Sequence, residues 1–277
     1  MRLLKLIAQN LFSALTSLVV ILNLGFWMPF LFLLALLKLL FSRVSAALDF
    51  INWLTERVYK MAAAINSLWM IRIVGVKLDV QGELPDHPSP IIVVNHQTWF
   101  DIPLLHYVVT WDGPILKFLI KRQLVWVPIV GWICYALGMP RLNRGVGDGA
   151  REKDYAAIQS ASSSLHRERG ALLIFAEGTR FTPKKHQNQK SPYRHLLVPR
   201  PGGLKISLAT APPDTPVVNI TIDYRDGDTN FWRGLGGANR DIGITIRNYH
   251  ASDITDARTW LEERWKEKDE LLGNSRV

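Results

Sequence analysis

The sequence predicts a single α/β domain, with one mixed sheet flanked by helices and an amino-terminal membrane-associated helix or helical hairpin before it. Three observations predict this fold. Apolar runs of strand length alternate with helical stretches from Lys77 onward. No charged residue occurs between Leu6 and Leu37. The chain has 277 residues, which suits one large domain plus an extra segment. We therefore expect a membrane anchor at residues 1–43, a connector at 44–76 and a catalytic domain at 77–277.

The uncharged amino-terminal run exceeds the roughly 7–15-residue apolar core of a cleaved signal peptide. As one helix it would extend about 48 Å, against a hydrocarbon core of about 30 Å. Gly25 and Pro29 predict a break that would divide it into two shorter helices. Basic residues lie on both sides of the run, so the positive-inside rule leaves a shallow hairpin and a tilted single span equally open.

The connector at residues 44–76 carries Trp53, Tyr59 and Trp69 among basic residues, alanines and isoleucines. Aromatic rings and long cationic side chains suit the headgroup layer of a membrane. A helix that simply packs on the domain explains the same pattern equally well.

The domain alternates predicted strands and helices. The strands are expected at Lys77–Gln81, Ile91–Asn95, Ile115–Leu119, Gly138–Leu142, Ala171–Phe175, Val217–Tyr224 and Ile242–Arg247. The helices are expected at Thr98–Val109, Ala150–Arg169, Gly202–Ala209 and Ile254–Leu272. The polar stretches Arg144–Gly149, Thr182–Tyr193 and Arg225–Arg240 are expected to be loops.

A His-x4-Asp pair follows the second strand. A neutral imidazole at His96, oriented by the Asp101 carboxylate, is a chemically sufficient base for an alcohol near neutral pH. The alternative is structural, because Thr98-x-x-Asp101 before an apolar run is also a helix-capping pattern.

A second motif, Glu177-Gly178-Thr179-Arg180, follows the strand at Ala171–Phe175. Glycine permits a sharp turn, and the guanidinium of Arg180 is a planar donor suited to phosphate. An ordinary turn with an exposed ion pair is the alternative. Two further cationic sites, Lys121 and the pair Arg141 and Arg144, lie between the two motifs; semi-buried arginines need anionic partners.

Composition narrows the possible functions. The net charge of +9 favours an anionic membrane or an acidic carrier protein. No zinc-finger spacing or RNA-binding signature favours nucleic acid. The single cysteine, Cys134, excludes an intrachain disulfide. Asp226-Gly227-Asp228 is better explained as a turn than as the acidic pair of a metal-dependent glycosyltransferase, and serine-hydrolase and zinc-protease motifs are missing from the sequence.

Together these residues resemble the glycerolipid acyltransferase family, which includes lysophosphatidic acid acyltransferase. Residues 95–101 resemble its first motif, Gly138 with Arg141 and Arg144 its second, and residues 175–180 its third, where proline is more usual than Ala176. Residues 215–219 resemble its weaker fourth motif. Residues 195–203 are similar to the branch that contains lysocardiolipin and other lysophospholipid acyltransferases.

The resemblance implies acyl transfer from acyl-coenzyme A or an acyl carrier protein to the free hydroxyl of a lysophospholipid, with no bound cofactor and no metal. It implies His96 as the base and Asp101 as its partner. The implied substrate-binding residues are Lys121, Arg144, Glu177, Gly178, Thr179 and Arg180, with Glu177 positioning either the glycerol backbone or the arginine.

The resemblance also implies a membrane location, which we expect to be a bacterial inner membrane with the catalytic domain on the cytoplasmic face. Three alternatives stay open. They are acylation of glycerol 3-phosphate, a membrane-anchored binding module for lipid or carrier protein, and the glycosyltransferase that would use Asp226 and Asp228.

Overall fold

The computed structural model describes residues 2–137, 139–142, 152–153, 155–160, 170–238 and 240–274. Its centre is a six-stranded mixed sheet in the order β1-β8-β7-β2-β6-β3. The strands are β1 (Lys77–Gln81), β2 (Ile91–Val94), β3 (Ile115–Phe118), β6 (Gly170–Phe175), β7 (Pro216–Tyr224) and β8 (Asp241–His250). Strands β7, β2, β6 and β3 are parallel, β8 runs antiparallel to β7, and β1 is parallel to β8.

The helices include α3 (Asp101–Leu105), α4 (Val130–Ala136), α5 (Pro183–Gln189), α6 (Gly202–Thr210), α7 (Phe231–Leu235) and α8 (Ala257–Asn274), after the amino-terminal α1 (Arg2–Leu40) and α2 (Ser45–Leu68). Wider π-helical turns follow α2 at Trp69–Val74 and α3 at His106–Thr110, and 3-10 turns lie at Arg122–Trp126 and Ala251–Asp253. The α/β expectation is confirmed.

Strand β2 is central because it is apolar on both sides. Ile92 and Val94 join the core on the face covered by the amino-terminal helices. Ile91 and Val93 join the core on the other face, together with aromatic residues of α8 such as Trp265. A strand buried on both faces is typical of a parallel sheet between two helical layers.

Helix α1 runs without interruption through Gly25 and Pro29, so the expected break into two helices does not occur. Proline removes the donor to the carbonyl four residues earlier and crowds it. That residue is Gly25, whose missing side chain eases the crowding, which explains why the helix continues. It is the one described helix that is long and apolar enough to cross a membrane, at Leu3–Leu40 with a mean hydropathy of 2.3.

Helix α1 lies along its own domain. Near its start, the Ser13 hydroxyl donates to the Trp232 carbonyl of α7 at 2.8 Å, and the Trp232 indole donates to Asn10 at 2.8 Å. Near its end, Leu31 and Leu34 are buried in the same core as Cys134 of α4. The outward face of α1 is an exposed apolar stripe that includes Leu11, Leu15, Leu18, Leu22, Phe26, Leu33, Leu36 and Leu40.

Helix α2 turns back along α1 and forms the hairpin that was expected within residues 1–43. The Asn23 amide donates to the Ala62 carbonyl at 2.8 Å and to Asn66 at 2.9 Å. On its other side, the buried Tyr59 hydroxyl bonds the His106 ring at 2.5 Å and the Leu116 carbonyl at 3.2 Å. The connector is therefore largely a packing helix, with Trp53 exposed at its surface.

Three expectations about local structure need correction. Thr182–Tyr193 contains α5, which Thr182 caps, and Arg225–Arg240 contains α7, which Asn230 caps. Polar residues that look loop-forming in sequence are here helix caps. Of the expected strand Gly138–Leu142, only Arg141–Leu142 (β5) pairs, and it pairs with Ile120–Lys121 (β4) outside the main sheet. Residues 152–153 and 155–160 of the expected Ala150–Arg169 helix are helical; its remaining residues, Gly138 and Arg144 lie outside the described residues.

Candidate active site

The site lies where three neighbouring parallel strands end. Chain β2 leads to His96, β6 leads to Glu177, and β7 ends at Tyr224. Since parallel strands bring their carboxyl ends to one edge of a sheet, these residues meet although up to 128 positions separate them along the chain.

The His-x4-Asp pair is formed. His96 Nδ1 lies 2.7 Å from Asp101 Oδ2, and the same oxygen accepts from the backbone N–H groups of Gln97 at 2.7 Å and Thr98 at 3.1 Å. The bond to Thr98 is the capping contact of the structural alternative. Asp101 therefore caps α3 and orients His96 at the same time, and the two interpretations are compatible.

The other oxygen of Asp101 is held by a residue that sequence reasoning missed. The Tyr224 hydroxyl donates to Asp101 Oδ1 at 2.7 Å, and both side chains are fully buried. Burial, reinforced by the neighbouring negative charge of Asp101, raises the pKa of Tyr224 well above its ordinary value. The tyrosine thus remains a neutral donor. Four hydrogen bonds then compensate the buried carboxylate for its lost hydration.

Asn95 is the second missed residue. Its amide donates to the Ile222 carbonyl at 2.9 Å, and its side-chain oxygen accepts from the Ile222 N–H at 2.9 Å. The side chain thereby pairs with β7 as another strand residue would, one position beyond the end of β2. This contact fixes His96 and Tyr224 relative to each other. The sequence signal is weak, because a polar residue at a strand end also occurs in ordinary turns.

The His96 ring is accessible on one side. It stacks on Phe175 of β6 with centroids 3.8 Å apart, and His96 as a whole is 8% exposed. Because Nδ1 is bonded to Asp101, Nε2 on the opposite side of the ring is the nitrogen left for a substrate.

The second motif packs directly against the first. The Phe181 N–H donates to the His96 carbonyl at 2.8 Å, and the Arg180 guanidinium lies 4.4 Å above the ring of Trp99. Partial burial lowers the pKa of Arg180, and the charge of Asp101 opposes that change. An arginine stays charged under such shifts, so a cation is positioned beside the imidazole.

The turn before Arg180 is held from behind. Gly178 has φ +70° and donates to the Phe175 carbonyl at 2.8 Å, which explains the need for glycine. The Lys185 ammonium donates to the Thr179 hydroxyl at 2.8 Å and to the Arg180 carbonyl at 2.9 Å. Thr179 and Gly178 therefore shape the loop that presents the guanidinium.

Glu177 occupies a different place from the one expected. Its carboxyl is fully buried beneath the loop and accepts from the backbone of His96, at 3.4 Å, and of Leu197. Burial raises the pKa of Glu177 well above its ordinary value. In this position it holds the His96 backbone, and it neither faces solvent nor bonds Arg180.

The remaining candidates are separate from this cluster or only partly described. Lys121 lies in β4, and only its backbone is described; Arg144 lies outside the described residues. Asp228 pairs with Arg233 at 3.1 Å and accepts from the Asn230 N–H at 2.9 Å, in the turn that leads to α7. Within the described part of the chain, no group of three His, Cys, Asp or Glu residues is arranged to hold a metal.

Three comparisons place these observations among known proteins. The family model described as Acyltransferase matches residues 76–222. The mouse 1-acyl-sn-glycerol-3-phosphate acyltransferase delta is 30% identical over 202 residues, which cover 65% of this chain and 51% of the mouse protein. The lyso-ornithine lipid O-acyltransferase of Pseudomonas aeruginosa is 32% identical over 150 residues, covering 50% and 54% of the two chains. The chain thus spans about half the length of the curated relatives it matches.

A solved structure shares the fold. The 1-acyl-sn-glycerophosphate (LPA) acyltransferase PlsC from Thermotoga maritima superposes with a TM-score of 0.62 and covers 99% of this chain and 98% of its own. The two sequences are 20% identical. The likeness therefore concerns the arrangement of helices and strands.

Proposed function

The chain belongs to the acyltransferase family, and we propose that it transfers an acyl chain from a thioester to the free hydroxyl of a lysophospholipid. The observation that carries the proposal is the 2.7 Å contact between His96 Nδ1 and Asp101, which leaves Nε2 beside the Arg180 loop. A base next to a cation suits a substrate that has both a hydroxyl and a phosphate. The lysophospholipid we propose is lysophosphatidic acid or a closely related lipid, as the names of the similar proteins suggest.

The chemistry balances without a protein nucleophile. His96 Nε2 takes the hydroxyl proton as the oxygen attacks the thioester carbonyl and a C–O bond forms. Collapse of the tetrahedral intermediate breaks the C–S bond, and the imidazolium returns the proton to the departing thiolate. Asp101 holds the ring in the required tautomer and stabilises its charged form. The donor is acyl-coenzyme A or an acyl carrier protein, and it acts as a co-substrate.

Arg180 supplies orientation. A phosphate bound by its guanidinium, at a distance from the reacting hydroxyl, would fix the acceptor relative to Nε2. The Trp99 ring beneath it and the Lys185 contacts behind it restrict its movement. Gly178 and Thr179 contribute the shape of the loop, and Lys121 and Arg144 are proposed as further cations on the acceptor side.

The membrane location follows from α1. The stretch from Asn10 to Leu34 is about 36 Å of helix, which exceeds the thickness of a hydrocarbon core. Both of its ends contact the same domain, through α7 and through α4. A helix that crossed the bilayer would carry one of these contacts to the far side. We therefore propose that α1 lies along one leaflet with its leucine stripe in the lipid.

The decisive experiment is an acyl-transfer assay of the purified full-length protein with a matrix of lysolipid acceptors and both thioester donors. We expect activity with lysophosphatidic acid and loss of turnover in His96→Ala, while membrane binding persists. A variant that keeps appreciable activity would remove His96 as the base. Absence of transfer with every pair would favour a binding module.

Arg180→Ala separates positioning from proton transfer. We expect it chiefly to raise the KM for the phosphorylated acceptor, with a smaller change in kcat. Arg200→Ala, which changes an exposed arginine of the neighbouring loop, is the matched control. An unchanged acceptor KM in Arg180→Ala would remove this residue from the phosphate site.

A further inference from the structure

The segment that follows β4 exposes an unusual set of large apolar side chains. It comprises the turn at Arg122–Trp126 and helix α4 (Val130–Ala136). Its exposed residues, which we call the aromatic patch, are Trp126 at 83%, Val127 at 45%, Val130 at 42%, Trp132 at 41% and Tyr135 at 55%. Single exposed apolar residues are common on protein surfaces, but contiguous groups of this size mark interaction sites.

Packing within α4 shows that the exposure is one-sided. Gly131 and Cys134 are buried, and Cys134 and Leu137 belong to the core beneath the sheet. The helix therefore has an inner face that joins the core and an outer face that carries Trp132 and Tyr135. An amphipathic helix whose outer face is aromatic lacks the polar surface expected in contact with water.

The surroundings identify a bilayer as the partner. Helix α4 packs against α1, whose outward stripe of leucines ends beside it, so the patch continues an apolar surface already present. Trp and Tyr are the residues enriched where a membrane meets water. The Arg141 guanidinium lies 5.2 Å from the Tyr135 ring, a position from which it can reach lipid phosphates.

We propose that the aromatic patch is a second membrane contact, carried by the catalytic domain and inserted at the headgroup level beside α1. The segment begins just after β3 and β4, at the sheet edge where His96 lies, because β3 and β6 are parallel. Insertion of the patch therefore turns this edge toward the lipid. The idea extends the proposed function by naming how the site is oriented toward a membrane-held acceptor.

Two matched valines test the insertion directly. Val127 lies in the patch and is 45% exposed, whereas Val80 lies on the edge strand β1 and is 44% exposed. Cys134 is the sole cysteine, and burial raises the pKa of its thiol to about 11, so Cys134→Ala gives a clean background for labelling. Val127→Cys and Val80→Cys are each labelled with an environment-sensitive fluorophore in the full-length protein.

The labelled proteins are bound to vesicles of phosphatidylcholine and phosphatidylglycerol that contain spin-labelled lipid. We expect strong quenching and a blue-shifted emission for the label at 127, and neither change for the label at 80. Equal quenching at the two positions overturns the proposal. So does a label at 127 that only an aqueous quencher reaches, which is the result expected if a protein partner or water covers the patch.

A functional measurement distinguishes this proposal from the proposed reaction. The double variant Trp126→Ser, Trp132→Ser should turn over vesicle-embedded acceptor about tenfold more slowly or worse, since one of two linked contacts is lost. Its rate with a short-chain acceptor that dissolves as monomers should match that of the unmodified protein. Equal rates of the two proteins on vesicles would contradict the patch. Failure of the unmodified protein with both acceptors would contradict the reaction and leave the quenching result to decide the patch.

Discussion

Two buried carboxyl groups stand side by side at the ends of β2 and β6, and the protein treats them in opposite ways. Asp101 accepts four hydrogen bonds that engage both of its oxygens. Glu177 is equally buried, yet only Oε1 has partners, and Oε2 has none among the described residues. Burial raises the pKa of Glu177 as a result.

The contrast shows that hydrogen-bonding partners, more than residue type or depth, decide what a buried acid can do. A carboxylate that must remain charged beside a base needs donors that replace water. A carboxyl that only fixes a loop can stay protonated and requires fewer. Asp101 fits the first requirement and Glu177 the second, so we expect substitutions at the two positions to differ greatly in effect.

The largest effect is expected from Asp101→Asn. The amide keeps the shape but removes the charge that orients and stabilises the imidazolium, so kcat should fall by about 10³–10⁴. Steady-state acyl transfer on vesicles measures the change, and a vesicle-binding assay shows that the fold is retained. A loss of less than about tenfold would mean that the carboxylate serves α3 alone.

Tyr224→Phe should have an intermediate effect. Removing one hydrogen bond to a charged group should reduce kcat by about tenfold. The carboxylate becomes more basic without this donor and holds the imidazolium more tightly. The acidic limb of the pH–rate profile should therefore move to higher pH.

Tyr59→Phe is the matched control for Tyr224→Phe. Tyr59 is also a buried tyrosine with a hydrogen-bonded hydroxyl, but its partners are His106 and the Leu116 carbonyl, away from Asp101. It should lower stability without moving the pH–rate profile. Equal profiles for the two variants would show that Tyr224 is structural and does not position the acid.

The smallest effect on turnover is expected from Glu177→Gln, because a neutral amide resembles a protonated carboxyl. The raised pKa means that the native state keeps its proton where the unfolded chain has lost it. This stability is complete below the ordinary pKa of about 4.3 and is lost as pH rises through the raised value.

Thermal unfolding in detergent, measured from acid to alkaline pH, checks the expectation for Glu177. The Tm of Glu177→Gln should fall less than that of the unmodified protein as pH rises, although attraction to the nearby Lys268 amine reduces the difference. A large loss of kcat in this variant would instead give Glu177 a direct part in the reaction.

Local pattern predicted most of the sheet and the reacting pair. Apolar runs located β2 and β6, and the His-x4-Asp spacing identified His96 and Asp101 because all of their determinants lie within a few residues. Tyr224 and Asn95 depend on β7 lying next to β2, an order that no local pattern encodes. The same limit explains Glu177, whose inward orientation depends on the loop that carries Leu197.

Two other features were hidden by composition. Gly25 and Pro29 suggested a helix break, but their spacing of one turn allows α1 to continue. The apolar residues of the segment at 122–136 suggested either a channel lining or ordinary packing, and the structure exposes many of them. Hydrophobicity alone does not distinguish a core from a surface that meets lipid.

Because α1 contacts its own domain near both of its ends, an enzyme anchored in this way would exchange lipids with a single leaflet. Each turnover converts a one-chain lipid into a two-chain lipid and so widens the hydrocarbon part of that leaflet. Growth would then be asymmetric, and the opposite monolayer could expand only through a separate activity that carries phospholipid across the bilayer.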